Sequence, residues 1–194
     1  MMNHSLKLAS LLAAACLWLS GCASAPQLGR ADTGGFDAAG KTVVVDYTVP
    51  VDNESTAKEQ AELREKRLGE VHQLLQRHGF RAVPSGASAF KIRVVEGAAN
   101  EVTGEWKGAL GANLVIFTLG IVPALFDYRS EFRYELWAGE KRIHHITTPA
   151  NWEEAVGLVS ISSTLSGADA SKQKARIGAH DSVIRLWIDQ GSFE

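Results

Sequence analysis

The residue whose chemistry the sequence indicates most strongly is Cys22, which ends the run Leu-Ser-Gly-Cys at positions 19–22. A short apolar stretch precedes that run, and Lys7 lies at its amino-terminal side. An apolar region of roughly 7–15 residues behind a positive charge is typical of a secretory signal, whereas a membrane span needs about 20 residues. We therefore predict that residues 1–21 are a cleaved signal peptide and that Cys22 becomes the first residue of the mature chain.

Positions 19–22 also resemble the lipobox of bacterial lipoproteins. The resemblance implies that the Cys22 sulfur carries a diacylglycerol and that its freed amine is acylated, so that these chains attach the protein to a membrane. Each buried methylene contributes about 0.8 kcal/mol, and two or more chains hold firmly where one does not. Ala23 rather than aspartate follows the cysteine. In lipoproteins of the enteric type this implies the periplasmic face of the outer membrane rather than the inner membrane.

Neither of the two cysteines is left as a free thiol in the predicted mature chain. Cys16 is discarded with the signal peptide, and Cys22 is consumed by the lipid. The prediction therefore excludes disulfides, cysteine nucleophiles and zinc-thiolate sites, and stability has to come from the packed core.

The remaining reactive side chains lack the spacing that catalysis or metal binding requires. The sequence has no nucleophile elbow, phosphate-binding glycine loop or His-Glu-x-x-His helix. His144 and His145 are neighbours in a predicted strand, so their side chains point to opposite faces and cannot share one metal. His180 beside Asp181 is a candidate pH-sensitive contact. We predict no catalytic residues, no metal ligands and no cofactor.

Charge excludes a further class of partner. Lysine and arginine number 20 against 22 aspartates and glutamates, which gives a formal net charge of −2. Nucleic acids and anionic lipid headgroups are bound by clustered basic side chains. We therefore expect no nucleic-acid partner, and we expect membrane attachment through acyl chains rather than through surface charge.

The domain organisation follows from composition. Residues 22–40, which begin with the lipidated cysteine, are otherwise small, polar and rich in glycine. This composition predicts a flexible tether. Residues 41–194 carry the periodic patterns of secondary structure, without internal repeats, and predict one globular domain.

The first half of that domain predicts a β-α-β unit. Residues 41–49 are dense in β-branched side chains and stop at a proline, as a strand does. Thr56 and Glu59 fit a capping box at the start of a helix, and Gly79 supplies its stop. Apolar and charged residues then alternate over residues 90–94, which predicts a second strand.

The second half predicts β-β-α after an apolar insertion. Residues 131–136 alternate, and residues 142–148 return beside them as a hairpin. Ser166 fits the cap of a last helix that ends near Gly191, and the serine-rich stretch at 160–164 is predicted to be loop or cap. The sum is a single α+β domain, with a four-stranded mixed or antiparallel sheet and two helices packed on one face.

The apolar insertion, residues 108–126, carries no charge. Three interpretations remain open: a membrane span, a buried core segment, or an exposed hairpin or helix that contacts a membrane or a partner. A second apolar run begins at Trp152 and packs against the first or shares its exposed surface. The candidate contact residues are Trp106, Phe117, Leu119, Ile121, Pro123, Phe126 and Trp152.

Residues 118–123, Thr-Leu-Gly-Ile-Val-Pro, are followed closely by Tyr128 and an alternating strand. This order resembles small proteobacterial lipoproteins with a Thr-Leu-Gly-hydrophobic-hydrophobic-Pro segment, families that are mostly uncharacterised. The resemblance implies an envelope lipoprotein and carries no catalytic residue.

The favoured hypothesis is therefore a lipid-anchored, non-enzymatic envelope protein that binds or assembles with a protein or lipid partner. The alternative is a periplasmic module that shelters a small apolar ligand or lipid between sheet and helices. A hydrolase with scattered catalytic groups is the third hypothesis.

Overall fold

The computed structural model describes residues 36–38, 40–51, 55–84, 86, 88–119, 121–156 and 161–194, with the backbone alone for residues 161–168. The predicted signal peptide, Cys22 and most of the predicted tether lie outside the described residues. In chain order the elements are β1 (Thr42–Thr48), α1 (Ala57–Arg77), β2 (Arg81–Val83), β3 (Phe90–Glu96), β4 (Asn100–Glu101), α2 (Glu105–Phe117), β5 (Ala124–Ala138), β6 (Lys141–Val156) and α3 (Ile161–Asp189).

The strands form one mixed sheet. β1 pairs in parallel with β2 on one side and β3 on the other, and β3 pairs antiparallel with the second half of β5. β4 continues along the same edge of β5, and β6 pairs with the opposite edge over its whole length. The prediction of a single α+β domain with a mixed sheet is confirmed, but the sheet has six strands instead of four. β2 and β4 have three and two residues, too few to produce a detectable alternation.

Helices α1 and α3 cover one face of the sheet, as predicted. Their apolar residues, among them Leu75 and Trp187, form a single core with inward side chains of β1, β3 and β5 such as Val43, Ile92 and Leu136. The predicted capping box of α1 is present, with the Glu59 amide donating to Thr56 Oγ1 at 3.3 Å and the Thr56 amide donating to Glu59 Oε2 at 2.8 Å.

Several boundaries differ from the sequence prediction. Strands β5 and β6 are longer than the predicted residues 131–136 and 142–148. Helix α3 begins at Ile161, so the predicted cap at Ser166 lies inside it. Serine is favoured at caps, but extending an existing helix costs less than starting one. At the other end of the domain, Phe36 packs 5.6 Å from the Phe80 ring and Ala38 is buried. The packed chain therefore begins before residue 41, which a lone aromatic in a glycine-rich stretch does not reveal.

Candidate functional site: an exposed apolar arm

The apolar insertion forms helix α2 and a turn that leads into β5. We call residues 105–123 the apolar arm. β5 and β6 extend past the end of β3 as a two-stranded hairpin, and α2 packs against β5 in that extension. Trp106, Phe117 and Leu119 are 79%, 84% and 76% exposed. The arm therefore lies outside the core and presents large apolar side chains to its surroundings.

Glycine allows α2 to approach the hairpin closely. Gly111 is the buried residue of α2, and a Cβ placed on it would lie 2.9 Å from the Ala124 Cβ of β5. Real carbon atoms essentially never approach so closely, so the observed distance between helix and strand requires glycine at this position. The helix turns its smallest residue toward the domain and its largest ones away from it.

The described backbone amides of the turn after α2 are paired locally. The Thr118 and Leu119 amides donate to carbonyls in the last turn of α2. Thr118 Oγ1 donates to the Leu114 carbonyl at 2.6 Å and accepts from the Val122 amide at 3.1 Å. Leu119 has a φ of 51°, and among the described residues it is the single non-glycine residue with positive φ. Such a conformation costs energy in a leucine and is typical of sites with a function.

Charged and aromatic residues surround the base of the arm, and we call them the collar. Lys107 Nζ lies 2.9 Å from carboxylate oxygens of both Asp127 and Glu153. Hydrogen bonds to these two carboxylates raise the pKa of Lys107. Next to them, the Tyr128 and Trp152 rings stack with centroids 5.9 Å apart. The charged side chains therefore lie at the base of the arm, and residues 108–123 carry none.

The structure separates the candidate contact residues into three groups. Trp106, Phe117, Leu119 and Ile121 are exposed on the arm, and Pro123 and Phe126 are half-buried where it joins β5. Trp152 is only 8% exposed and lies in the collar, so it does not belong to the exposed surface. Its indole N–H donates to Glu154 Oε1. Trp152 alternates with exposed residues along β6. The sequence of one strand does not show which of its two faces is covered, so the burial of Trp152 was not predicted.

Of the three interpretations of residues 108–126, the buried core segment is wrong for α2 and its turn. No helix in the described part of the chain is both long and apolar enough to cross a membrane. The two apolar runs meet, since residues 152–156 pair with residues 124–128, but the helical part of the first run stays uncovered. Sequence reasoning missed several exposed members: Leu110, Leu114, Ile116, Val122, Leu125 and Val156.

The second unusual feature is a buried ionic cluster between the sheet and the two helices. Arg176 of α3 donates to both Glu70 carboxylate oxygens, at 2.8 and 2.9 Å. Arg67 of α1 lies 3.8 Å from Glu70 and 3.3 Å from Glu96 of β3. Two positive and two negative groups thus balance one another, and the cluster links α1, α3 and β3.

His180 lies inside this cluster and does not face Asp181 as a charged partner. Its Nδ1 is 2.6 Å from the Tyr134 hydroxyl, and the Tyr47 hydroxyl beside it donates to Glu96 at 2.7 Å. Burial, reinforced by Arg176 and Arg67, lowers the pKa of His180 to about 3. Burial also raises the pKa values of Tyr47 and Tyr134. The histidine is therefore neutral, and Asp181 instead contacts His78 at 2.8 Å.

The space beside the cluster is small. A cavity of ≈ 40 Å³ opens between Glu96, Trp152 and Arg176, which is room for a few water molecules. Trp187, Tyr47 and Phe132 fill the neighbouring interior and are almost fully buried. An apolar ligand held between sheet and helices would have to displace these side chains. Among the described residues, no group of three or more His, Cys, Asp or Glu side chains is placed to hold a metal ion.

No protein-family model matches the chain, and no curated protein sequence is similar to it. Among solved structures, a minor lipoprotein from Acinetobacter baumannii is 11% identical with a TM-score of 0.46, and the match covers 78% of this chain and 92% of that one. Rare lipoprotein B from Shewanella oneidensis is 11% identical with a TM-score of 0.47, covering 77% and 96%. A Xanthomonas campestris protein is 10% identical with a TM-score of 0.47, covering 81% and 89%. At these identities and scores the similarity carries no conclusion about function.

Proposed function

We propose that the protein is a non-enzymatic lipoprotein of the bacterial cell envelope, anchored through Cys22 in the outer membrane, that docks on an apolar component of the envelope through the apolar arm. The observation that carries this proposal is the exposure of the arm. Large exposed apolar patches on a folded domain are typical of sites that contact a partner or a membrane.

The arm is not needed to complete the domain core. The core residues come from the sheet, α1, α3 and the chain ends, and none of them belongs to α2. Beyond Lys107, α2 is uncharged and mostly apolar. Such a helix is normally buried, yet here one narrow face packs on the hairpin and the remainder is exposed. A surrounding apolar component accounts for this composition, because exposure to water alone favours a polar outer face.

Cysteine labelling tests the docking role without assuming which component covers the arm. The predicted mature chain has no free thiol, so Phe117→Cys and Leu186→Cys each create a single reporter, one on the arm and one on an exposed site of α3. We expect a membrane-impermeant maleimide, admitted to the periplasm, to label the Leu186→Cys protein in intact envelopes and to spare the Phe117→Cys protein.

The control is the same pair of variants in purified mature chains, residues 22–194, that also carry Cys22→Ser and lack Cys16. There both reporters should react, because both positions are exposed in the isolated protein. Equal labelling of the two positions in intact envelopes would show that the arm is uncovered in the cell, and the docking role would be lost. Mass spectrometry of the mature amino terminus tests the anchor separately, with the Cys22→Ser chain as the unlipidated reference.

A further inference from the structure

We propose that the component covering the arm is a phospholipid bilayer, and that α2 and its turn insert into the leaflet that holds the acyl chains of Cys22. This inference rests on the proposed function, since it names the partner of the same surface. Four features of the described residues lead to it: the exposure around α2, the satisfaction of its polar groups, the position of the collar, and the reach of the chain that joins anchor and domain.

Apolar side chains leave α2 in several directions. Trp106, Leu110 and Phe117 lie along one side of the helix, and Ile116 lies away from them, all of them exposed. A flat protein surface covers one side of a helix and leaves the others in water. Liquid hydrocarbon surrounds a helix, so that every exposed apolar side chain of the arm leaves water on insertion.

Several polar groups of the arm beyond Lys107 are paired within the arm itself. Asn113 Nδ2 donates to the Ala109 carbonyl at 2.8 Å, and Thr118 Oγ1 pairs with two backbone groups. The amides of Leu119 and Ile121 are also paired locally, and Pro123 has no amide hydrogen to satisfy. Hydrocarbon offers no hydrogen bonds, and each unsatisfied group there costs several kcal/mol. The groups named here meet this requirement through contacts within the arm.

The collar sets the depth of insertion. Lys107, Asp127 and Glu153 form a charged group at the start of α2, and the aromatic residues Trp106 and Tyr128 directly adjoin Lys107 and Asp127 in the chain. Charge beside aromatic rings is the composition of the boundary between hydrocarbon and water. Beyond Lys107, the remaining residues of α2 extend about 15 Å at 1.5 Å per residue. One leaflet provides about 15 Å of hydrocarbon, which a tilted helix of this length fits.

The chain that leads to the anchor determines how the domain lies on the membrane. Phe36 packs beside Phe80 and Phe193, and Phe193 in turn packs on Phe90, at the end of the sheet opposite the arm. Phe90 pairs with Ala138, whereas the arm joins β5 at Ala124, roughly 45 Å away along the strand. Residues 23–35 connect Cys22 to Phe36, and a chain of that length reaches at most about 50 Å.

An upright domain with its arm in the membrane would therefore use nearly the whole reach of this chain. A domain lying along the surface uses much less of it, and both ends then touch the same leaflet. The acyl anchor also keeps the arm close to that leaflet, so that insertion becomes an intramolecular step with a high effective concentration. Under these conditions, an arm that inserts only weakly is sufficient to keep α2 in the leaflet.

Vesicle partitioning of the predicted mature chain, residues 22–194 with Cys22→Ser and without the apolar signal peptide, tests the proposal. We expect this unlipidated protein to bind vesicles of phosphatidylcholine, and vesicles that also contain phosphatidylglycerol, to a similar extent at low and high salt, because the arm has no basic cluster. Leu114→Gln and Leu186→Gln form a matched pair, since these leucines lie on α2 and α3 and are 43% and 42% exposed. Leu114→Gln should weaken partitioning several-fold and Phe117→Gln about ten-fold, whereas Leu186→Gln should leave it unchanged.

An environment-sensitive fluorophore on Phe117→Cys, in the Cys22→Ser background, measures insertion directly. We expect a blue shift on vesicle addition and quenching by nitroxide-labelled lipids, with neither effect at Leu186→Cys.

Three results overturn the bilayer as partner. The first is no partitioning, and the second is partitioning that Leu186→Gln weakens as much as Leu114→Gln does. The third is self-association in solution that Leu114→Gln abolishes. If one of these occurs while Phe117→Cys stays protected in intact envelopes, the docking role survives with a protein or a second copy as partner. If Phe117→Cys is labelled there as well, both proposals fail.

Discussion

Two regions of this molecule place charged and apolar side chains in opposite ways. Near its centre the domain buries four charged side chains between the sheet and two helices, and at one end it exposes helix α2, whose residues 108–117 carry no charge. The buried ionic cluster orients the parts of the domain relative to one another. The arm contributes nothing to the core. The residues that stabilise this domain are therefore different from those that face its surroundings. Substitutions should affect one of these properties without the other.

Arg176→Met should have the largest effect on stability. Arg176 is 3% exposed and holds Glu70 through two hydrogen bonds, so its removal leaves a carboxylate buried with only Arg67 and Gln173 nearby. Breaking a buried ion pair from one side costs about 3–5 kcal/mol. We expect the free energy of unfolding of the Cys22→Ser chain in urea to fall by that amount.

The double variant Arg176→Met, Glu70→Leu is the control for this prediction. Replacing both partners by apolar side chains removes the unpaired charge, and such replacements are often neutral or stabilising. The double variant should therefore recover much of the loss. If Arg176→Met alone unfolds at the same urea concentration as the parent chain, the cluster does not hold the helices and the contrast with the arm disappears.

His180 should make the domain sensitive to acid. Its folded-state pKa of about 3 lies below the ordinary value of 6.5, because burial beside two arginines disfavours the charged ring. As the pH falls, the histidine of the unfolded chain is protonated before that of the folded chain. The folded domain therefore loses stability as the pH falls below 6.5. The free energy of unfolding then falls by up to about 1.4 kcal/mol per pH unit. The total loss at pH 5 is about 2 kcal/mol.

The pH dependence can be assigned by substituting the ring. His180→Gln removes the titrating group and keeps a polar side chain near the Tyr134 hydroxyl. The unfolding free energy of this variant, although lower at neutral pH, should fall less steeply between pH 6.5 and pH 5 than that of the parent chain. Parallel curves for the two proteins would place the acid sensitivity elsewhere.

Gly111→Ala should weaken the packing of α2 against β5, and Gly108→Ala should not. A Cβ at Gly111 meets Ala124 at 2.9 Å, whereas one at Gly108 lies 3.7 Å from Thr103, an ordinary contact. Alanine stabilises a helix interior by about 1 kcal/mol relative to glycine, and overpacking costs about 1–3 kcal/mol. We expect Gly108→Ala to be slightly stabilising, and Gly111→Ala to be less stable than Gly108→Ala by about 1–3 kcal/mol in urea unfolding.

Sequence patterns predicted the body of this protein better than its arm. The alternation in β3 and β5 and the capping box at Thr56 are local signals, and the structure confirms them. The ionic cluster could not be foreseen, because Glu70, Glu96 and Arg176 meet only after α1, β3 and α3 have packed. The position of the arm likewise depends on contacts that form only when the elements pack together. An uncharged run has one composition whether it is buried or exposed, and the hairpin that supports α2 decides between the two.

Phe117→Gln should have the smallest effect on stability and the clearest effect on docking. Phe117 is almost fully exposed at the end of α2, so the substitution removes no core contact and should change the free energy of unfolding by less than about 0.5 kcal/mol. Urea unfolding of the Cys22→Ser chain with and without Phe117→Gln measures this directly. A loss similar to that of Arg176→Met would mean that the arm packs against the domain after all. An unchanged stability, together with weaker partitioning to vesicles, would separate the stabilising residues from those that contact the membrane.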